Sequence, residues 1–161
     1  MNSITLSVLV IMAIASINAH PGGAPPETCE DMVPKHGVEP QKSKFPYTVE
    51  VSKPTITRGD TIDITISGDK EFKGYLLQVR DNKNKAVGTF IIPDTDQLSK
   101  VLTCHGNKNS SATHKNTKAK KNLTLKWKSP QVKGPLTIFA TVAENGGVFW
   151  AHEPTAEINV V

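Results

Sequence analysis

An all-β sandwich of two antiparallel sheets, built from about eight short strands, is the fold this sequence predicts. Three observations point to it. Apolar residues recur at every second position in segment after segment. Those segments are rich in β-branched and aromatic side chains and are divided by turn residues. No stretch carries the i, i+3, i+4 spacing of an amphipathic helix. A period of two places alternate side chains on opposite faces of a strand, so each such segment reads as half-buried.

The elements follow in order. Residues 1–19 contain no charged side chain and hold an apolar run from Leu6 to Ala15, with Ala19 as the cleavage position. That run is too short to span a bilayer and reads as a secretory signal peptide. The mature chain is then expected to begin at His20, outside the cell, with 20–161 forming one domain around one core. Residues 20–46 are rich in proline and lack an apolar period, so they are read as an irregular strap over the domain. "YTVEVSK" sets Tyr47, Val49 and Val51 against Thr48, Glu50 and Ser52, and "TIDITIS" sets Ile62, Ile64 and Ile66 against Asp63 and Thr65. The "RGD" at 58–60 turns the chain between them. "GYLLQVRD" and "AVGTFII" flank "NKNK", which reads as a hairpin connection. Residues 93–99 read as a loop or a short helical turn. "NLTLKWK" points Leu123, Leu125 and Trp127 inward and Lys126 and Lys128 outward. "GPLTIFATVAE", "GVFWAH" and "TAEINVV" complete the set, with "NGG" turning the first into the second.

Two cysteines, Cys29 and Cys104, meet an oxidising compartment after secretion and are expected to pair. Their number and spacing exclude a CxxC redox motif or a zinc cluster. Charge is segregated along the chain. The formal balance is +4, yet Gln97–Ala143 holds nine lysines and no carboxylate. Within it, Lys108, Lys115, Lys118, Lys120, Lys121, Lys126 and Lys128 fall in one block, five in a connecting loop and two on an outward strand face. Such a block is either a footprint for a polyanion or a solvated edge that discourages strand pairing between molecules. The lack of interleaved arginine or aromatic residues removes a base-stacking platform, so nucleic acid is excluded as partner.

"CEDMVPKHG", then "LTC", then "SATHKNTKAKKNLTLKWKSP", then "GPLTIFATVAENGGVFWAH" resemble, in order, the reeler domain, named after the N-terminal part of reelin. A stand-alone copy behind a signal peptide is similar to small insect defence proteins of the noduler type. The resemblance implies an immunoglobulin-like sandwich with one disulfide, Cys29 to Cys104. It also implies secretion during the response to infection and binding to microbial surfaces, and it offers no catalytic motif.

The remaining candidates are weighed on their chemistry. Asn109 and Asn122 head N-x-S/T sequons, with Asn109 in the more polar surroundings. A mature N-terminal His20 could chelate copper through its amine and ring, which would suit a copper-dependent polysaccharide oxygenase. His105 and His114, nine residues apart, have no ligand spacing. His114 and His36 are expected to hydrogen-bond inside the sandwich and the strap. Trp127 and Trp150 are read as core, and "RGD" as a turn ahead of an integrin motif. No GxSxG elbow and no phosphate-cradling glycine loop is present. The sequence thus predicts a non-enzymatic secreted defence factor without cofactor or metal, without membrane insertion, whose lysines dock on bacterial or fungal polyanions such as lipopolysaccharide or lipoteichoic acid. Two rivals are an extracellular matrix or adhesion module binding a host protein, and the copper oxygenase.

Overall fold

In the computed structural model, which describes residues 20–161, the chain forms two sheets. The segment read as a signal peptide lies outside the described residues. One sheet has four strands in the order β1 (Tyr47–Val51), β3 (Thr61–Gly68), β8 (Leu123–Lys128) and β5 (Thr89–Ile91). The other has six, in the order β2 (Thr55–Ile56), β10 (Val148–Val160), β9 (Gly134–Asn145), β4 (Gly74–Arg80), β7 (Asn107–His114) and β6 (Ser99–Cys104). Every pairing is antiparallel except β2 with β10, where Ile56 lies beside Val160 in a parallel register. The only helical turn among the described residues is a short 3-10 turn at Pro26–Thr28.

The inter-sheet core is made by the residues that alternation picks out. Ile62, Ile64 and Ile66 of β3 and Leu125 and Trp127 of β8 face Tyr75, Leu77 and Val79 of β4 and Ile138, Ala140 and Val142 of β9. Both indoles are buried and bond their N–H inside: Trp127 donates to Val87 O at 3.2 Å and Trp150 to Ser43 O at 3.1 Å. Gly88, at φ 71°, lies so close to Trp127 that a Cβ would stand 2.4 Å from the ring. Only glycine permits that crossing.

The structure differs from expectation at several strands. "NKNK" does not close a full hairpin. After the Arg80–Ala86 bridge and the bond from Val87 N–H to Val79 O, the chain crosses to the other sheet and pairs with β8. The segments "GVFWAH" and "TAEINVV" are one strand, β10, interrupted by register shifts near Trp150–Glu153 and Pro154–Ala156. Finally β6 and β7 form a hairpin where a lysine loop was expected. Residues 107–114 read as loop because Ser110, Ser111, Ala112 and Thr113 are all small or polar, yet all four are buried. The reason is a second buried layer. The strap of residues 20–46 crosses the outer face of the six-stranded sheet, so β4 and β7 are covered on both sides. Two of the hydroxyls there are satisfied locally, Thr113 Oγ1 donating to Tyr75 O at 2.7 Å and Ser110 Oγ to Cys104 O at 3.0 Å, while the buried Ser111 Oγ has no partner.

Candidate functional site

The lysine block does not form one surface. Lys108 lies near the start of β7, whereas Lys115, Lys118 and Lys121 follow its end, so the length of the strand separates them. Lys126 donates to Asp63 Oδ1 across the β3–β8 register at 2.9 Å, so an acid from elsewhere in the chain neutralises it. Lys120 corrects the expectation most clearly. It is 2% exposed, and its ammonium gives its three protons to the carbonyls of Lys73, Asn116 and Lys118 at 2.7–2.9 Å. Burial pulls its pKa down to about 8. Lys120 also bridges Phe72 backbone to backbone, so it pins the 115–122 loop to the sandwich. It is a structural lysine and no part of a surface.

What remains is a smaller cationic end. Lys115 holds the Asp94 and Asp96 carbonyls and Lys121 reaches the Asp69 carbonyl, while Lys118 extends into solvent. None of the ion pairs among the described residues includes Lys108, Lys115, Lys118, Lys121 or Lys128. Lys73, whose carbonyl takes Lys120, stands exposed beside the same loop.

The sequons change rank. Asn122 is exposed and its Thr124 is exposed, whereas the Asn109 sequon ends in Ser111, which is fully buried. Asn109 sits in β7, between β4 and β6 in the sheet, and the polar surroundings of its sequence do not signal the burial of Ser111. In the turn at 58–60, the Asp60 carboxylate accepts the Thr57 N–H at 2.9 Å, which holds its pKa below the usual range. That is the turn chemistry expected of it.

The histidines gather under the strap. His114 accepts the Tyr75 N–H on Nδ1 at 3.2 Å and directs Nε2 to the His20 carbonyl at 3.1 Å. His36 packs edge-on to Phe149, with ring centroids 5.5 Å apart, and its buried Nδ1 makes no hydrogen bond. This departs from the bond expected for it within the strap. His20, His36 and His114 line one cavity of about 290 Å³ between strap and sheet, a gathering that residues so far apart in sequence do not signal. They do not approach as a group able to hold a metal ion, and no such group of three occurs among the described residues.

Burial lowers the pKa of His36 and His114, and of His152 beside the Arg80 guanidinium. A histidine depressed in the folded state binds fewer protons than in the unfolded chain. Its contribution is complete above the unfolded value of about 6.5 and is lost as pH falls through the window below it. The lowered carboxylates Glu30, Asp31 and Asp60 act at more acid pH. The midpoint of thermal unfolding is therefore expected to fall as pH is lowered from about 7.5 to about 5. A flat profile over that interval would contradict the buried neutral imidazoles.

The fold is an all-β sandwich of two sheets, with a disulfide tying residues 20–46 to the six-stranded sheet. The Reeler domain family matches residues 27–161, and this chain belongs to it. It is 36% identical over 160 residues to "Defense protein l(2)34Fc" of Drosophila melanogaster, covering 96% of this chain and 98% of that protein. It is 34% identical over 161 residues to "Putative defense protein Hdd11" of Hyphantria cunea, covering 96% of each. Among solved structures, the human F-spondin reeler domain superposes with a TM-score of 0.61 at 13% identity, over 76% of this chain and 94% of that one. The Cys29–Cys104 bridge is present, with Cα atoms 5.4 Å apart. No helix among the described residues is long and apolar enough to cross a membrane.

Proposed function

We propose that this protein is a secreted, non-enzymatic defence factor that adheres to anionic microbial envelopes through the cationic end of its sandwich. The observation that carries the reading is the 115–122 loop. Lys115, Lys118 and Lys121 face solvent there beside Lys73, unpaired with carboxylates among the described residues and held in place by buried Lys120. The names of the insect relatives support the defence role. Clustered ammonium groups raise the local potential and attract polyanions, with a strength that salt reduces. The footprint is narrower than the whole 108–128 block, because Lys108 lies at the far end and Lys126 is paired.

The test is sedimentation with bacteria at low salt. Each lysine near an anionic surface contributes on the order of 1 kcal/mol, so replacing Lys115, Lys118 and Lys121 by Gln is expected to weaken adhesion by up to about a hundredfold. Lys108→Gln leaves it unchanged. Undiminished adhesion of the triple variant would remove this surface from the mechanism.

A further inference from the structure

We propose that the cavity between the strap and the six-stranded sheet binds a slender aliphatic anion, a free carboxylate of about ten carbons, without using Lys115, Lys118 or Lys121. Its floor is apolar, formed by Leu76 of β4 and Ala143 of β9, and its roof is Pro21, Ala24, Met32 and Pro34 of the strap. Protein interiors rarely leave a void larger than a water molecule, and apolar cavities stay dry. A cavity of about 150 Å³ holds benzene, so the 290 Å³ here suits a molecule of roughly ten heavy atoms.

The cavity is held open by its own framework. The Cys29–Cys104 bridge anchors the middle of the strap. Ala24 N–H donates to Thr113 Oγ1 at 2.9 Å, His114 reaches the His20 carbonyl, and Thr141 Oγ1 donates to Met32 O at 2.7 Å. The strap therefore cannot settle onto Leu76 and Ala143 without breaking these bonds.

Two features select an anionic head. None of the lining residues is Asp or Glu; Lys73 is exposed at the cavity without a carboxylate partner among the described residues, and Lys35 is exposed there in an ion pair with Asp31. His36 Nδ1 lies buried at the cavity wall without a partner, a polar atom that a carboxylate oxygen would satisfy. Apolar walls with a few convergent polar groups are the usual make-up of a small-molecule site. A chain anchored in a bilayer would leave most of its length outside so small a space.

The test is calorimetric titration of the intact protein with decanoate, butyrate and decanol. Decanoate is expected to bind one to one, at least about tenfold tighter than butyrate because each buried methylene adds affinity. It should also shift the His36 ring resonances. Ala143→Leu fills the floor and is expected to reduce decanoate affinity by about tenfold or more. Lys35→Glu, on an exposed side chain, is expected to weaken decanoate several-fold and leave decanol unchanged. Both variants are first shown to melt like the parent. Should Ala143→Leu prove unable to fold, Lys35→Glu and the chain-length series decide alone. Equal binding of decanoate and butyrate, or undiminished binding by a folded Ala143→Leu protein, overturns the site. Insensitivity of decanoate to Lys35→Glu overturns the anionic head, and retention of the Lys115, Lys118 and Lys121→Gln protein on palmitate-doped neutral phosphatidylcholine vesicles, above undoped ones, overturns the size limit. Bacterial adhesion by the 115–122 lysines is untouched by any of these outcomes.

Discussion

Replacing Arg80 by Met is expected to destabilise the fold by about 2–4 kcal/mol. Arg80 is 1% exposed, yet it has no buried carboxylate as partner. Glu30 contributes its carbonyl, and its side chain is largely in solvent. The guanidinium instead uses all five donors. Nε gives to Gln78 Oε1 at 2.7 Å, Nη1 to Asn84 Oδ1 and His152 Nε2, and Nη2 to the carbonyls of Cys29 and Glu30 at 2.8 and 3.0 Å. Its plane also lies over Phe139, 5.4 Å from the ring centre. A methionine would fill the space but strand Gln78 Oε1 and the Glu30 carbonyl and leave the Cys29 carbonyl to Gln78 alone. A lysine would fare little better, since three protons on a point charge cannot span a fork of five acceptors. Denaturant unfolding measures the loss. A second readout tests the geometry itself: the His152 pKa, held low by burial and then by the Arg80 charge, should rise toward the ordinary value in the Arg80→Met protein. A loss under about 1 kcal/mol, or an unmoved His152, would show that Arg80 does not organise this face.

How far the fold could be read in advance depends on how many of a strand's faces are covered. β3 and β8 have one face on the core and one in solvent, so Ile62, Ile64 and Ile66 and the Leu125–Trp127 pair alternate cleanly. β7 is covered on both faces, by the core and by the strap, and its outer layer is polar, with Thr113 bonded to the strap at Ala24. Neither period two nor apolarity marks it. β10 reads as two strands because Pro154 and the register shifts around it interrupt the alternation. The pairing of Cys29 with Cys104 is legible from compartment and count alone. The candidate surface is legible only in outline. Lys118 and Lys120 are the same residue type two positions apart, and what sets them apart is a tertiary event, the Phe72–Lys120 bridge that turns one ammonium inward. Charge counting along the chain cannot see such a turn. Nor can it see Asp63, distant in sequence, arriving opposite Lys126 through strand register.

Cutting the Cys29–Cys104 bridge, by Ala at both positions, is expected to cost about 4 kcal/mol and to act first on the strap. The bridge closes a loop of 75 positions, long enough for the freed chain entropy to dominate. The inter-sheet core depends on it less: every buried member, Trp127, Phe90 and the β3 isoleucines included, comes from outside residues 20–46, and of the strap Phe45 packs against it. The strap does depend on it. Cys29 O is the acceptor for both Gln78 and Arg80, and Met32, fully buried, is held by the bond from Thr141. Loosening there is expected to spread to Ser43, whose carbonyl binds Trp150, while Trp127 stays bonded to Val87. Both tryptophans sit in the inter-sheet core, but only Trp150 bonds the strap, so it alone reports on the strap. In the variant, Trp150 emission should shift to the red and limited proteolysis should cut within residues 20–46, with Trp127 still shielded. Proteolytic resistance of the strap equal to the parent's, alongside an unchanged unfolding free energy, would mean that hydrogen bonds alone hold this second layer.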